Sequence, residues 1–149
     1  MSERQPLKTP PRCFDLAVTV AAADIDANGH ANNVVYLRWV QEAATAHWFA
    51  AVEPGLASSL SLVVVRHVID YKKPAHLGDE LIARTWVGEM KGVTSERFCD
   101  VIRPSDGLVL ARARTIWCTF DPSTGRPTRI PPGTKAYFAG PEDRSEGPS

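Results

Sequence analysis

What this sequence most lacks is an excess of charge of either sign. Its 149 residues carry 17 Lys and Arg against 17 Asp and Glu, so no basic field is available to release phosphate counterions, which argues against a nucleic-acid surface. A basic patch for one small anionic ligand stays open. Cysteine is scarce as well. Cys13, Cys99 and Cys118 are odd in number and have no CxxC spacing, which argues against a disulfide framework or a structural zinc site and reads as reduced, mostly buried thiols. No two histidines or carboxylates share metal-ligand spacing on one helix, so no metal is expected. Long apolar runs are missing from the start of the chain: "MSERQPLKTPPR" is neither a signal peptide nor a membrane anchor, and the expectation is a cytoplasmic protein with no membrane span.

What is present fits one domain with its own core. Residues 13–138 carry it, between a flexible N-terminus at 1–12 and a flexible tail at 139–149, where "GPEDRSEGPS" is too poor in apolar residues to fold. "CFDLAVTVA" (13–21) alternates Phe14, Leu16, Val18 and Val20 as a first strand does. From 33 to 51 the period becomes helical, with Arg38, Gln41, Glu42 and Thr45 on a thin polar stripe and nearly everything else apolar; such a helix is buried on most of its circumference. Pro54 and Gly55 should close it. Residues 60–74 read as a strand with Val63, Val65, His67, Ile69 and Tyr71 on one face and Arg66, Asp70 and Lys72 on the other. Strands follow at 80–88, at 93–103 after "EMKG", and at 108–120 after "PSDG". One strand, one apolar helix and four strands in series give an α+β order, with an antiparallel five-stranded sheet wrapped around the long central helix. Its open edges call for self-association, at least a dimer.

The densest polar cluster is "DIDANGHANN", residues 24–33. Read structurally, Asn32 or Asn33 caps the helix, Asp24 and Asp26 are favoured by its positive end, and Gly29 allows a tight bend. Read chemically, the mouth of a buried helix offers unpaired N–H groups for an oxygen gaining negative charge. A carboxylate across a glycine turn would then be nucleophile or general base. Asp26 or Asp24 can fill that part, with Asn28 and His30 orienting water or polarising substrate.

Asp-x-Asp-x-x-Gly-His-x-Asn-Asn-x-x-Tyr-Leu, then an Ala-rich helix and "Y-x-x-P-x-x-x-G-D", resembles the hotdog-fold thioesterases of the 4-hydroxybenzoyl-CoA thioesterase type over residues 14–121. The resemblance implies hydrolysis of acyl thioesters without a cofactor, by a homodimer or homotetramer. It makes Asp26 the catalytic carboxylate, Asp24 a supporting residue, and the Asn33 backbone amide the donor to the thioester oxygen. "DANGHANN" is closer to the long-chain acyl-CoA branch and resembles plant acyl-ACP thioesterases, whose Asp-x-Asn-x-His set matches Asp26, Asn28 and His30. The substrate is thus expected to be an acyl-CoA, or alternatively an acyl-ACP.

Other residues carry weaker expectations. Tyr36 could set a pocket floor beside Gly29, and Trp39 and Trp48 could border an acyl tunnel; core packing is their default. His47 and His67 read as hydrogen-bonded interior histidines and His76 as a solvated turn residue. Arg66, Lys91 and Arg97 are candidate CoA contacts; Arg112 and Arg114 compete with them, although alternating charge usually marks a solvated face. Residues 123–138 are a lid candidate ending in a short helix. Two rivals remain: a non-catalytic acyl-CoA-binding module of the same fold, which would not need Asp26, and a hydratase, whose acid–base histidine belongs to another motif.

Overall fold

The computed structural model describes residues 12–139; the expectations for residues 1–11 and 140–149 lie outside it. Strand β1 (Phe14–Thr19) turns Leu16 and Val18 inward as its alternation predicts. A 3₁₀ turn and a polar loop then lead into α1 (Asn33–Ala51), which buries Tyr36, Trp39, Val40, Ala43, His47 and Trp48. Each fully buried aliphatic of this kind contributes about 1.5–3 kcal/mol. Pro54 does not merely end α1. It opens α2 (Pro54–Ser59), whose first turn is capped by the Glu53 carboxylate accepting from Leu56 N–H at 2.5 Å, because proline at the first helical position loses no bond the helix would have made.

Strands β2 (Ser61–Tyr71), β3 (Glu80–Lys91), β4 (Thr94–Arg103) and β5 (Leu108–Asp121) complete an antiparallel sheet of order β1-β3-β4-β5-β2. The two-residue β6 (Arg126–Pro127) adds a sixth strand on β5. The sheet curls around α1, which packs on β1, β3 and β4. This is the hotdog arrangement expected from the sequence.

Three particulars differ from that expectation. The turn after β3 sits at Gly92 and Val93, so "EMK" belongs to the strand. In β2 the pairing with β5 slips between Val64 and Arg66. A β-bulge there reverses the alternation, so Leu62 and Val64 face inward with His67 and Ile69, while Val63 and Val65 face solvent. Lastly, the sheet covers α1 on one side only: Val34 is 67% and Phe49 63% exposed on the other. A single sheet of this width reaches around one face of a helix, and the second apolar face is left open. Among the described residues, no helix is long and apolar enough to cross a membrane.

Candidate active site

The polar loop is built on Asp24. That side chain is 4% exposed; it accepts Ala21 N–H at 2.9 Å and Arg38 Nη2 at 3.1 Å, and its carbonyl accepts Asn32 N–H at 2.9 Å. Both oxygens are committed to holding the loop against α1, which is a structural duty. Asp26 is placed differently. A bridge between Ile25 and Ala31 pinches the loop, Asp26 N–H donates to His30 O at 3.1 Å, and Gly29 N–H donates to Asp26 O at 3.0 Å. Gly29 has φ +83°, a conformation in which a Cβ is strained, so the tight bend needs glycine. Among the described residues, the half-buried Asp26 carboxylate accepts only Asn28 N–H, at 2.8 Å through Oδ1. Oδ2 is left for other work.

Asn32, not Asn33, caps α1: its Oδ1 accepts Val34 N–H at 2.9 Å and its carbonyl accepts Val35 N–H at 2.9 Å. Asn33 is therefore the first helical residue, and among the described residues its N–H donates to no protein atom. Its carbonyl is held by Tyr71 Oη at 3.1 Å. Tyr71 also meets Tyr36 edge-on at 5.3 Å, and Tyr36 Oη accepts Ala75 N–H at 3.1 Å. Tyr36 is thus a strut of the helix mouth inside the core, with its hydroxyl turned to backbone. These contacts explain the "Y-x-x-P-x-x-x-G-D" spacing. Tyr71 holds the helix, Gly78 turns at φ +84°, and Asp79 accepts His76 N–H at 2.9 Å and Arg103 Nη1 at 2.9 Å, which together hold its carboxyl below the usual range. Ala31 N–H donates to Ala75 O at 2.8 Å, so this connection braces the polar loop directly.

The fold thus brings Asp26, Asn28, Gly29, His30 and Asn33 to one place. His30 is half-buried and sits edge-on to His76 at 6.3 Å. Among the described residues, no hydrogen bond runs between the side chains of Asp26, Asn28 and His30; the link from Asn28 to Asp26 is through the Asn28 backbone N–H. The arrangement offers an ionisable oxygen, an imidazole and an unspent helix N-terminal amide, a set suited to acyl transfer.

A model of the Thioesterase-like superfamily matches residues 20–138. The chain belongs to that superfamily. The "Acyl-CoA thioester hydrolase YbgC" of Escherichia coli O6:H1 is 27% identical over 128 residues, covering 84% of this chain and 95% of its own. Among solved structures, the YbaW probable thioesterase from Escherichia coli aligns with TM-score 0.75 at 21% identity, over 83% of this chain and 95% of its own. Slr0204, a 1,4-dihydroxy-2-naphthoyl-CoA thioesterase from Synechocystis, aligns with TM-score 0.70 at 21% identity, over 80% and 90%. Both alignments speak to the fold.

Within this superfamily frame, the remaining expected residues scatter. Arg66 is exposed at the β2 bulge, and exposed Lys91 ends β3 at the end away from the Ala75–Asp79 connection. Arg112 and Arg114 pair with Asp100 and Glu96. Arg97 departs furthest from expectation. It is 6% exposed, beneath α1, with Nη1 donating to His47 Nδ1 at 2.9 Å and Thr85 Oγ1 at 3.1 Å; from there it cannot serve as a CoA contact on the outer surface. The sequence held the signal for this: Arg97 shares its alternation with Cys99 and Val101, both buried. His47 is interior, whereas His67 is half-buried, with its Nδ1 meeting Thr115 Oγ1 at 2.9 Å. Trp39 is core; Trp48 borders a cavity. The lid candidate ends in a 3₁₀ helix, Thr134–Phe138, which starts from Gly133 and packs Phe138 on His47 and Trp48.

Proposed function

We propose that this chain hydrolyses acyl-CoA thioesters to a free acid and CoA. The observation that carries the reading is the Asn33 N–H, left without a protein acceptor at the mouth of α1, beside an aspartate with one oxygen unengaged. The amide and the helix's partial positive charge stabilise the thioester oxygen as it becomes an oxyanion. Asp26 either attacks the carbonyl carbon, giving an anhydride that water opens, or takes a proton from the attacking water. In both routes the C–S bond breaks, the electron pair leaves on sulfur, and the thiolate takes up the proton that the water gives up, on direct attack in the second route and on opening the anhydride in the first. A thiolate departs readily, so the site needs no strong acid. Asn28 and His30 position water or the substrate carbonyl. The name of the Escherichia coli relative supports CoA over a carrier protein as the acyl carrier.

The unit we infer is a homodimer, or a homotetramer made of two such dimers. Strand β2 is a sheet edge with Val63 and Val65 exposed by 46% and 57%, and a second copy covers such an edge. Antiparallel pairing of two β2 strands sets the Ser61 end of one against the Tyr71 end of the other, next to the partner's helix mouth. Unpaired cysteines at 13, 99 and 118 support a reducing compartment, the cytoplasm.

Free-thiol release from acyl-CoA tests the assignment, with acyl-ACP run in parallel. Asp26→Asn is expected to lose 100-fold or more, on the order of a positioned base's contribution, at unchanged melting temperature and oligomer size. Survival of turnover within a few-fold would sink it.

A further inference from the structure

Behind the second half of α1 lies a cavity of about 260 Å³. Trp48, Leu62, Val87, Met90 and Trp117 give it apolar walls, Arg97 brings a charge, and Thr45 and Phe49 stand at its rim on the exposed side of α1. At ~30 Å³ per water it holds roughly eight or nine waters' volume. That is short of a full ligand pocket, for which about 300 Å³ is the lower range, and suits one end of a longer molecule.

Its charge is out of balance. Arg97 has no carboxylate in ion-pair range among the described residues: its Nη1 is spent on a neutral imidazole nitrogen and a hydroxyl, and the guanidinium lies 5.7 Å over the Phe138 ring. Among the described residues, Nε–H and the Nη2 hydrogens donate to no protein atom. The Trp117 indole Nε1 has no acceptor among the described residues and is sealed from solvent, so Trp117 gives the cavity ring surface and no donor. Buried cations are normally paired, because an uncompensated charge in a low-dielectric interior is costly. His47 cannot be the missing anion. Burial and the adjacent Arg97 pull its pKa from 6.5 to about 4, so it is neutral and spends its lone pair on Arg97.

We propose that this cavity receives the distal end of the acyl chain and selects one that ends in a carboxylate, with the Arg97 guanidinium as its donor. This rests on the thioesterase reading and names its substrate class: ω-carboxyacyl thioesters. A planar guanidinium whose Nε–Nη2 edge is free matches a carboxylate bidentately, and the apolar walls receive the methylenes. Within one protomer the rim lies about 18 Å along α1 from Asn33, twelve residues at 1.5 Å each. The β2 pairing proposed above brings the partner's cavity to the same helix mouth.

The test compares hexanoyl-CoA with adipoyl-CoA and decanoyl-CoA with sebacoyl-CoA, pairs that differ at the chain end. The native chain is expected to favour the carboxylate member at least tenfold in kcat/KM for one of the pairs. Arg97→Met should abolish or reverse that preference while keeping turnover of the methyl-ended member, and Arg97→Lys should restore part of it. Should Arg97→Met fail to fold, Ser95→Glu, on the same cavity wall, gives Arg97 an internal carboxylate and should erase the preference. Equal turnover of both members by the native chain, or a preference that survives in Arg97→Met and Ser95→Glu alike, overturns the proposal and leaves the thioesterase reading intact. Quenching of tryptophan fluorescence by free adipate, lost in Arg97→Met, would support the site even if no thioester were hydrolysed. Absence of both hydrolysis and quenching overturns the two together.

Discussion

Asp24 and Asp26 stand two positions apart and live in different surroundings. Asp24 spends its oxygens on Ala21 and Arg38, whereas Asp26 keeps one oxygen unspent. Asp24→Asn is therefore expected to act on stability: losing the charge partner of Arg38 should cost about 1–3 kcal/mol in urea titration. An unchanged midpoint would show that Arg38 matters little to the loop. His47 makes a prediction in pH. Its imidazole takes a proton near 6.5 when unfolded but only near 4 when folded, since burial and Arg97 disfavour the cation. Between those values the unfolded chain binds more protons, so stability falls as pH drops through that window. Denaturation midpoints measured from pH 7 down to 4.5 should decline, and His47→Gln should flatten the decline. Equal slopes would refute it. By residue type the sequence offered Asp24 and Asp26 alike, and only their hydrogen bonds tell them apart; Arg97 could have been placed from the alternation it shares with Cys99 and Val101. The pairing of Arg97 with His47, fifty residues apart, is a product of tertiary packing and leaves no local mark.

At the scale of elements, α1 was legible to its last residue because its apolar period is long and its ends are punctuated. Choosing the cap between Asn32 and Asn33 was not possible from residue type, since both are good caps. The structure gives it to Asn32, which frees the Asn33 amide. Asn32→Ala should cost about 1 kcal/mol and reduce kcat more than it raises KM, because the Asn33 N–H is aimed by the turn that Asn32 closes; Asn32→Asp should preserve both. A kcat untouched by Asn32→Ala, measured by thiol release, would separate the cap from the chemistry. The β2 bulge was hidden for a physical reason. Leu62, Val63, Val64 and Val65 are apolar in succession, so either phase of the alternation buries a good side chain and a one-residue slip leaves no trace. Pro54 misled in another way. A proline that ends one helix and one that begins the next look alike until Glu53 is seen capping the new turn.

Across the whole molecule, two apolar surfaces are left uncovered by one copy of the chain: the open face of α1, with Val34 and Phe49, and the β2 edge, with Val63, Val65, Val68 and Tyr71. A neutral chain, with 17 charges of each sign, has no net repulsion to keep copies apart. The sequence could call for association because a lone sheet has edges. It could not say which edge, since that depends on β1 and β2 being the outer strands. Lysines on an edge strand oppose pairing, because like charges meet across the two-fold axis and must be desolvated. The double variant Val65→Lys with Val68→Lys should therefore halve the mass seen by light scattering. Both positions face solvent in the single chain, so its own packing should be spared. If each helix mouth works against its partner's cavity, thiol release should fall with the dimer fraction across a dilution series. A variant that keeps the native mass would remove β2 as the interface. One that becomes monomeric yet keeps full turnover would mean that each chain completes its site alone, with the acyl end lodged elsewhere than in the neighbour's cavity.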